Sequence, residues 1–171
     1  EHLNMTIMYK PAKIPALDRF ICKTRRRVGC ELVAADKKGV LSLFRVLKNG
    51  GDIGVLPDQE PSLKSGVFAP FFGKAALTGK LTGELGYRTQ ACLLFCYAKR
   101  LDDGNYGVVL KQGSEDIRST DPVISATALN KGIEECILDC PEQYQWSYKR
   151  FRRQPEGKSG IYKKAVQSKA A

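Results

Sequence analysis

The 171 residues contain a single histidine, His2, a single tryptophan and two methionines. One imidazole leaves no histidine-rich metal set and no second histidine to activate a serine or cysteine nucleophile. No stretch approaches the ~20 consecutive apolar residues of a spanning helix, and no charged-then-apolar leader is present. No part of this stretch is therefore expected to cross a bilayer. Because it opens on Glu1 and its earliest methionine, Met5, lies in an apolar segment, further sequence is expected upstream. Zinc-knuckle spacing is missing too. Of the cysteines at 22, 30, 92, 96, 136 and 140, the last two pairs enclose three residues rather than two. Neither a metal nor another cofactor is expected. Reduced, buried thiols are, with Cys92 and Cys96 on one strand face and Cys136 and Cys140 on one helix face.

What is present is charge of one sign, unevenly placed. The net charge of +10 comes from the two ends: residues 10–48 hold eleven Lys/Arg against three Asp/Glu, and 149–171 hold eight against one. Residues 49–144 hold nine basic and thirteen acidic. Such ends suit an anionic partner, whether phospholipid, nucleic acid or an acidic protein.

Hydrophobic periodicity supplies the elements. Asn4–Tyr9 reads as a strand, Ile14–Arg27 as a helix with Pro15 in its first turn, and Glu31–Ala34 as a strand. A helix follows around Val40–Leu47, closed by Asn49-Gly50-Gly51, and then a strand over Asp52–Leu56. Two β–α–β passes argue for an α/β fold with a mostly parallel mixed sheet flanked by helices. The loops after Tyr9 and Leu56 are then expected on one sheet edge, with Lys10 and Asp58 near each other. Gly66–Gly73 reads as a buried loop plugging the core, 74–89 as a weak helix, and Ala91–Ala98 with Tyr106–Leu110 as a hairpin. Asp121-Pro122 opens a helix to about Cys140, and a further helical piece is expected from Glu142 to Phe151. The Gly-, Lys- and Ser-rich remainder reads as a tail, giving one domain over 1–157 and a flexible basic tail over 158–171.

Three strings carry a family likeness. Pro141–Gly157 (PEQYQWSYKRFRRQPEG) resembles the C-terminal signature of the lipid A late acyltransferases. Gly54–Gln59 (GVLPDQ), followed by Gly66–Gly73 (GVFAPFFG), resembles their central motif, and Tyr9-Lys10-Pro11 with Pro15 their Tyr-Arg-Pro segment. The resemblance implies a glycerolphosphate-acyltransferase-like fold whose N-terminal part is missing from this chain. It also implies transfer of an acyl chain from acyl carrier protein to a hydroxyl of a lipid A precursor, in lipopolysaccharide synthesis at the cytoplasmic face of the bacterial inner membrane. Family members use His, four residues, then Asp or Glu, the imidazole acting as general base. Here Ile7 occupies the acid's spacing from His2, and His2 does not align with the family histidine. The chain alone is therefore expected to be inactive. Lys10 replaces the usual Arg, which keeps the charge and loses the bidentate fork, while Phe95 and Ala76 stand where Pro is common.

Substrate contacts are expected from Asp58 and Gln59 in the crevice, and from Lys10, Arg25, Arg27 and Arg100 toward an anionic headgroup or carrier phosphate. Their bland counterparts are turn chemistry for Asp58-Gln59, a helix-end cluster for the arginines and a hairpin-end charge for Arg100. Tyr144, Trp146 and Phe151 are expected to seat the last helix, leaving Lys149, Arg150, Arg152 and Arg153 outward against an anionic membrane surface. No nucleic-acid-binding module surrounds that cluster, so nucleic acid is not an expected partner. The rival reading is a non-catalytic lipid- or carrier-binding relative that has lost the motif.

Overall fold

The computed structural model describes residues 5–27, 29–158 and 160–162. His2 and most of the expected tail lie outside them. The chain divides into two compact units, Glu1–Leu56 and Pro57–Ala171.

In the first unit, β1 (Met5–Tyr9), α1 (Pro15–Arg26), β2 (Glu31–Ala34), α2 (Lys37–Lys48) and β3 (Asp52–Gly54) alternate as expected. The three strands form a parallel sheet in the order β2-β1-β3, with Ile7 opposite Leu32 on one side and Gly54 on the other. Parallel pairing puts all three C-terminal strand ends, and Lys10 just after β1, on one edge. Asp36 starts α2 by accepting the Gly39 amide at 2.8 Å, and Leu43 is fully buried beneath it. Ile7 is a half-buried position of the central strand.

The second unit contains β4 (Gly66–Phe71), β5 (Lys74–Gly79), α3 (Leu81–Thr89), β6 (Leu94–Arg100), β7 (Tyr106–Gln112) and α4 (Pro122–Asp139). Its strands form two antiparallel hairpins, β4-β5 and β6-β7. The α/β class holds, and its parallel part is the three-stranded sheet.

Three local expectations are corrected. Gly66–Gly73 is a strand and a tight turn, not a loop: Phe72 (φ 45°) and Gly73 (φ 70°) both adopt the left-handed region, as a two-residue hairpin turn of the primed type requires. Residues 74–89 are part strand and part helix: β5 ends at Gly79, and Lys80 alone separates it from α3. After Cys140 the backbone leaves the helix (φ −149°, ψ 66°), and 141–154 runs as one short 3₁₀ turn and irregular turns, not a second helix.

The core of this unit is Phe71, Ala76, Ile117, Leu129, Ile133 and Ile137, with Phe95, Tyr144 and Phe151 packed against it. Leu129, Ile133 and Ile137 recur at helical spacing along α4. Asp121 caps α4 by accepting the Val123 and Ile124 amides at 2.7 and 3.3 Å. Two glycines permit close approach. A Cβ on Gly83 would fall within the Ser125 hydroxyl and 2.8 Å from the Ile117 carbonyl; one on Gly132 would enter the Phe95 ring. Hairpin β6-β7 turns Phe95, Tyr97 and Lys99 toward α4, where the Tyr97 hydroxyl and the Lys99 ammonium donate to Asp139 at 2.9 and 3.1 Å. Its other face, with Leu94, Tyr106, Val108 and Leu110, is exposed.

The thiols also differ from expectation. All six are free, but Cys92 and Cys96 are exposed, only Cys140 is buried, Cys92 precedes β6, and Cys140 is the cap residue after α4 rather than part of it.

Gly83→Ala is expected to lower unfolding free energy by about 1–3 kcal/mol, read from urea denaturation, because the clash involves backbone that has no room to yield. Hydrogen bonds from Lys99 and then Tyr97 hold the Asp139 carboxyl below its ordinary value of 3.8. A depressed folded pKa stabilises above the unfolded value and is lost as pH falls through the folded one. The stability gap between wild type and Asp139→Asn should therefore be present above about pH 4 and close below it.

Candidate functional site

The loop Pro57–Pro61 carries Asp58 and Gln59, and its conformation depends on Glu60. The side chain of Glu60 is 1% exposed, yet it is charged, so it needs partners. Arg152 donates to it through Nε at 3.1 Å and Nη2 at 2.9 Å, and the Arg153 backbone amide donates at 2.9 Å. The Glu60 amide in turn donates to the Tyr148 hydroxyl at 2.7 Å, and Arg153 Nη1 donates to the Pro61 carbonyl at 2.7 Å. The loop is thereby clasped to the C-terminal segment ninety residues further along.

A second clasp lies beneath it. Arg150 is 3% exposed, and its Nη1 and Nη2 donate to the Leu77 carbonyl at 2.7 Å and the Thr78 hydroxyl at 3.0 Å of β5. Its guanidinium also lies over the Phe71 ring, 5.3 Å from the centroid. Burial pulls the Arg150 pKa below its ordinary value. Thr78 Oγ1 also accepts from Asn130 Nδ2 at 2.9 Å, and the same amide donates to the Pro70 carbonyl at 2.8 Å. One chain of buried polar groups thus joins the C-terminal segment, both strands of the first hairpin and α4. At the hairpin turn, the Phe72 amide donates to Glu134 Oε1 at 2.7 Å, and the Phe72 ring packs on Phe71 and Trp146.

Asp58 is half-buried in the turn after Pro57, with no side-chain hydrogen bond among the described residues. Its charge acts on Tyr144 and Arg150; burial first, and then Asp58, raise the Tyr144 pKa. The Tyr144 hydroxyl and Arg150 Nε are buried without a partner among the described residues. A carboxylate placed in this way accepts a hydrogen bond from a hydroxyl that reaches the turn. Gln59 is exposed beside it.

The other expected contacts are dispersed. Arg25 lies half-buried in the last turn of α1 and Arg27 caps that helix, exposed; two residues apart on a helix, they point to different faces. Arg100 ends β6 exposed, with its backbone tied to Gln143. Of the four cations expected to face outward, Arg150 is buried and holds β5, Arg153 is half-buried on Pro61, and Arg152 is exposed but paired with Glu60. Lys149 is exposed, its ammonium 5.8 Å from the Tyr162 ring centroid. The cluster is thus largely a fastening.

Sequence reasoning missed Glu60, Thr78, Asn130, Glu134 and Tyr148. Asn130 left a trace as a lone amide among the apolar positions of α4. Glu60 left another as an acid between the two prolines of the loop.

Arg150→Ala is expected to cost about 3 kcal/mol, because the Leu77 carbonyl and the Thr78 hydroxyl lose a charged donor in a dry site. Urea unfolding of the variant reads this directly, and an unchanged midpoint would remove the second clasp. Glu60→Gln keeps the shape and should cost less.

The sequence model of the bacterial lipid A biosynthesis acyltransferase family matches residues 1–153. The Escherichia coli K12 lipid A biosynthesis lauroyltransferase is 30% identical over 157 residues, 91% of this chain and 51% of that protein. The palmitoleoyltransferase of the same strain is 30% identical over 142 residues, 82% and 46% respectively. A Haemophilus influenzae lipid A biosynthesis acyltransferase is 29% identical over 158 residues, 91% and 48%. The chain therefore spans about half the length of these relatives. The clasped loop, the hairpin beneath it and the C-terminal segment all lie in a chain that belongs to the bacterial lipid A biosynthesis acyltransferase family.

Proposed function

We propose that this chain serves acyl transfer from an acyl carrier protein thioester to a hydroxyl of a lipid A precursor, within one domain over 1–157. The work takes place at the cytoplasmic face of the bacterial inner membrane, in lipopolysaccharide synthesis. The observation that carries this reading is the presentation of Asp58, a carboxylate without a side-chain hydrogen bond among the described residues, on a loop clasped to the C-terminal segment. In this reading Asp58 accepts a hydrogen bond from the acceptor sugar or headgroup, and Gln59 donates beside it. Lys10, Arg25 and Arg100 meet phosphate on the acceptor or the carrier arm, and Arg27, exposed on another face of α1 than Arg25, meets an anionic lipid headgroup. The general base comes from outside these residues, since His2 is the chain's only imidazole and Ile7 has no carboxylate to orient it. The 171-residue chain alone is then inactive.

The same single histidine favours a second reading, a relative that binds lipid or carrier protein without turnover. The two part in a chimera. Residues 5–157 replace the matched half of the Escherichia coli lauroyltransferase, and transfer from acylated carrier protein to a lipid A precursor is measured. The chimera is expected to turn over. Asp58→Ala in it is expected to reduce kcat/KM about tenfold or more with an unchanged melting temperature, which corresponds to about 1.4 kcal/mol of transition-state binding. Full activity of that variant would leave Asp58 a turn residue. A folded, inactive parent chimera that still retains carrier protein would favour the binding relative.

A further inference from the structure

Helix α1 buries none of its residues. The side it turns toward the sheet carries polar groups beside the half-buried Ile21: Asp18 accepts the Ala12 amide at 2.9 Å and the Tyr9 hydroxyl at 3.4 Å, and the Cys22 thiol donates to that same hydroxyl at 3.3 Å. Its other large apolar side chains are exposed, Leu17 by 47% and Phe20 by 66%, with Ile14 at its start at 62%. Three and seven residues from Phe20, and so beside it on the helix surface, stand Lys23 and Arg27. Together with Arg19, Cys22 and Arg26 they line a shallow open cleft of about 450 Å³ with no acid among its described residues. The one acid of the helix, Asp18, is turned inward.

An exposed apolar stripe bordered by cations and by Thr24, on a helix with no fully buried residue, has the composition of a segment that lies in a bilayer interface. We propose that the outward face of α1 seats the protein on an anionic lipid bilayer. Leu17 and Phe20 enter the headgroup–acyl boundary, while Lys23 and Arg27 reach phosphates at its level and Arg19 and Arg26 extend the positive field behind them. The occupant follows from composition: the cations call for anions while Leu17 and Phe20 beside them call for an apolar phase, and an anionic bilayer interface offers both along its whole surface, whereas nucleic acid would leave Phe20 in water. The C-terminal cations are a poorer source of this contact, since Arg150, Arg152 and Arg153 are committed to Leu77, Thr78, Glu60 and Pro61. This inference deepens the membrane-surface part of the function proposed above and identifies the surface.

The test is the fluorescence of Phe20→Trp in a Trp146→Phe background of the 171-residue chain. It is titrated with vesicles of phosphatidylcholine containing phosphatidylglycerol, and with phosphatidylcholine alone, each with and without brominated acyl chains. On the anionic vesicles, emission from the introduced indole shifts to the blue and is quenched by bromine; on phosphatidylcholine alone it does neither. Lys23→Gln and Arg27→Gln each weaken the vesicle partition about fivefold. Phe20→Ser, followed by vesicle sedimentation, weakens it about tenfold or more. The proposal falls if the introduced indole is already blue-shifted without lipid and vesicles leave it unchanged, since protein then covers the face. It falls equally if that indole stays water-exposed with lipid, or if Lys149→Gln with Arg152→Gln removes binding while Lys23→Gln with Arg27→Gln does not. Partition is measured without turnover. Vesicle binding by an inactive chimera would therefore refute the transfer reading and leave this one standing, and transfer by a chimera whose α1 stays in water beside anionic vesicles would do the reverse.

Discussion

A buried guanidinium is the constraint around which the second unit is arranged. Removing the Arg150 charge from water is expensive, and the cost is met only where acceptors and an aromatic face are already in place. The Leu77 carbonyl, the Thr78 hydroxyl and the Phe71 ring supply them, and each depends on something else. Thr78 is held by Asn130 of α4, Phe71 by the core, and the Leu77 carbonyl by the hairpin register. Satisfying one charge therefore requires the hairpin, the long helix and the C-terminal segment to be correct together.

The Glu60 clasp completes this arrangement at the surface. With its donors, the buried carboxylate aligns the loop against the backbone at Arg153, so the turn bearing Asp58 inherits the rigidity of the core beneath it. The role proposed for Asp58 requires a carboxylate that does not move relative to the hydroxyl it accepts from, and loops on their own are poor at this. The basic run of the C-terminal segment thus has a mechanical reading: Arg152 and Arg153 secure the Pro57–Pro61 loop, and Arg150 secures β5 beneath it.

Elements with strong local signals were legible in the sequence. The parallel sheet followed from β-branched runs separated by amphipathic helices, α4 from the Asp121-Pro122 start, and the second hairpin from Asp102-Asp103-Gly104. The first hairpin was hidden because its turn, Phe72-Gly73, lacks the Asn-Gly signal and because β5 merges into glycine-rich sequence that imitates a broken helix. The C-terminal segment was misread as a helix for a related reason. Its aromatic and basic residues suit helical spacing, but their hydrogen bonds go to residues seventy to ninety positions away, and single-sequence periodicity does not register such partners. Asp58 and Gln59 are legible as turn residues from sequence, whereas the partners of Glu60, which positions them, lie 88 to 93 positions away and leave no local signal.

The turn at Phe72 bears on how this unit comes to be folded. A phenylalanine at φ 45° costs free energy on its own, so the isolated segment 66–79 has no local reason to close as a hairpin. Closure is rewarded only once Glu134 accepts the Phe72 amide and Trp146 covers its ring, contacts that span 62 and 74 residues. The hairpin therefore leans on contacts of long sequence separation despite its own short range. Helix α4 leaves the ribosome after it, and the C-terminal segment after α4. Before it does, a nascent chain displays β4 and β5 as unpaired apolar strands, the period in which this polypeptide is most exposed to chaperones and to misassociation.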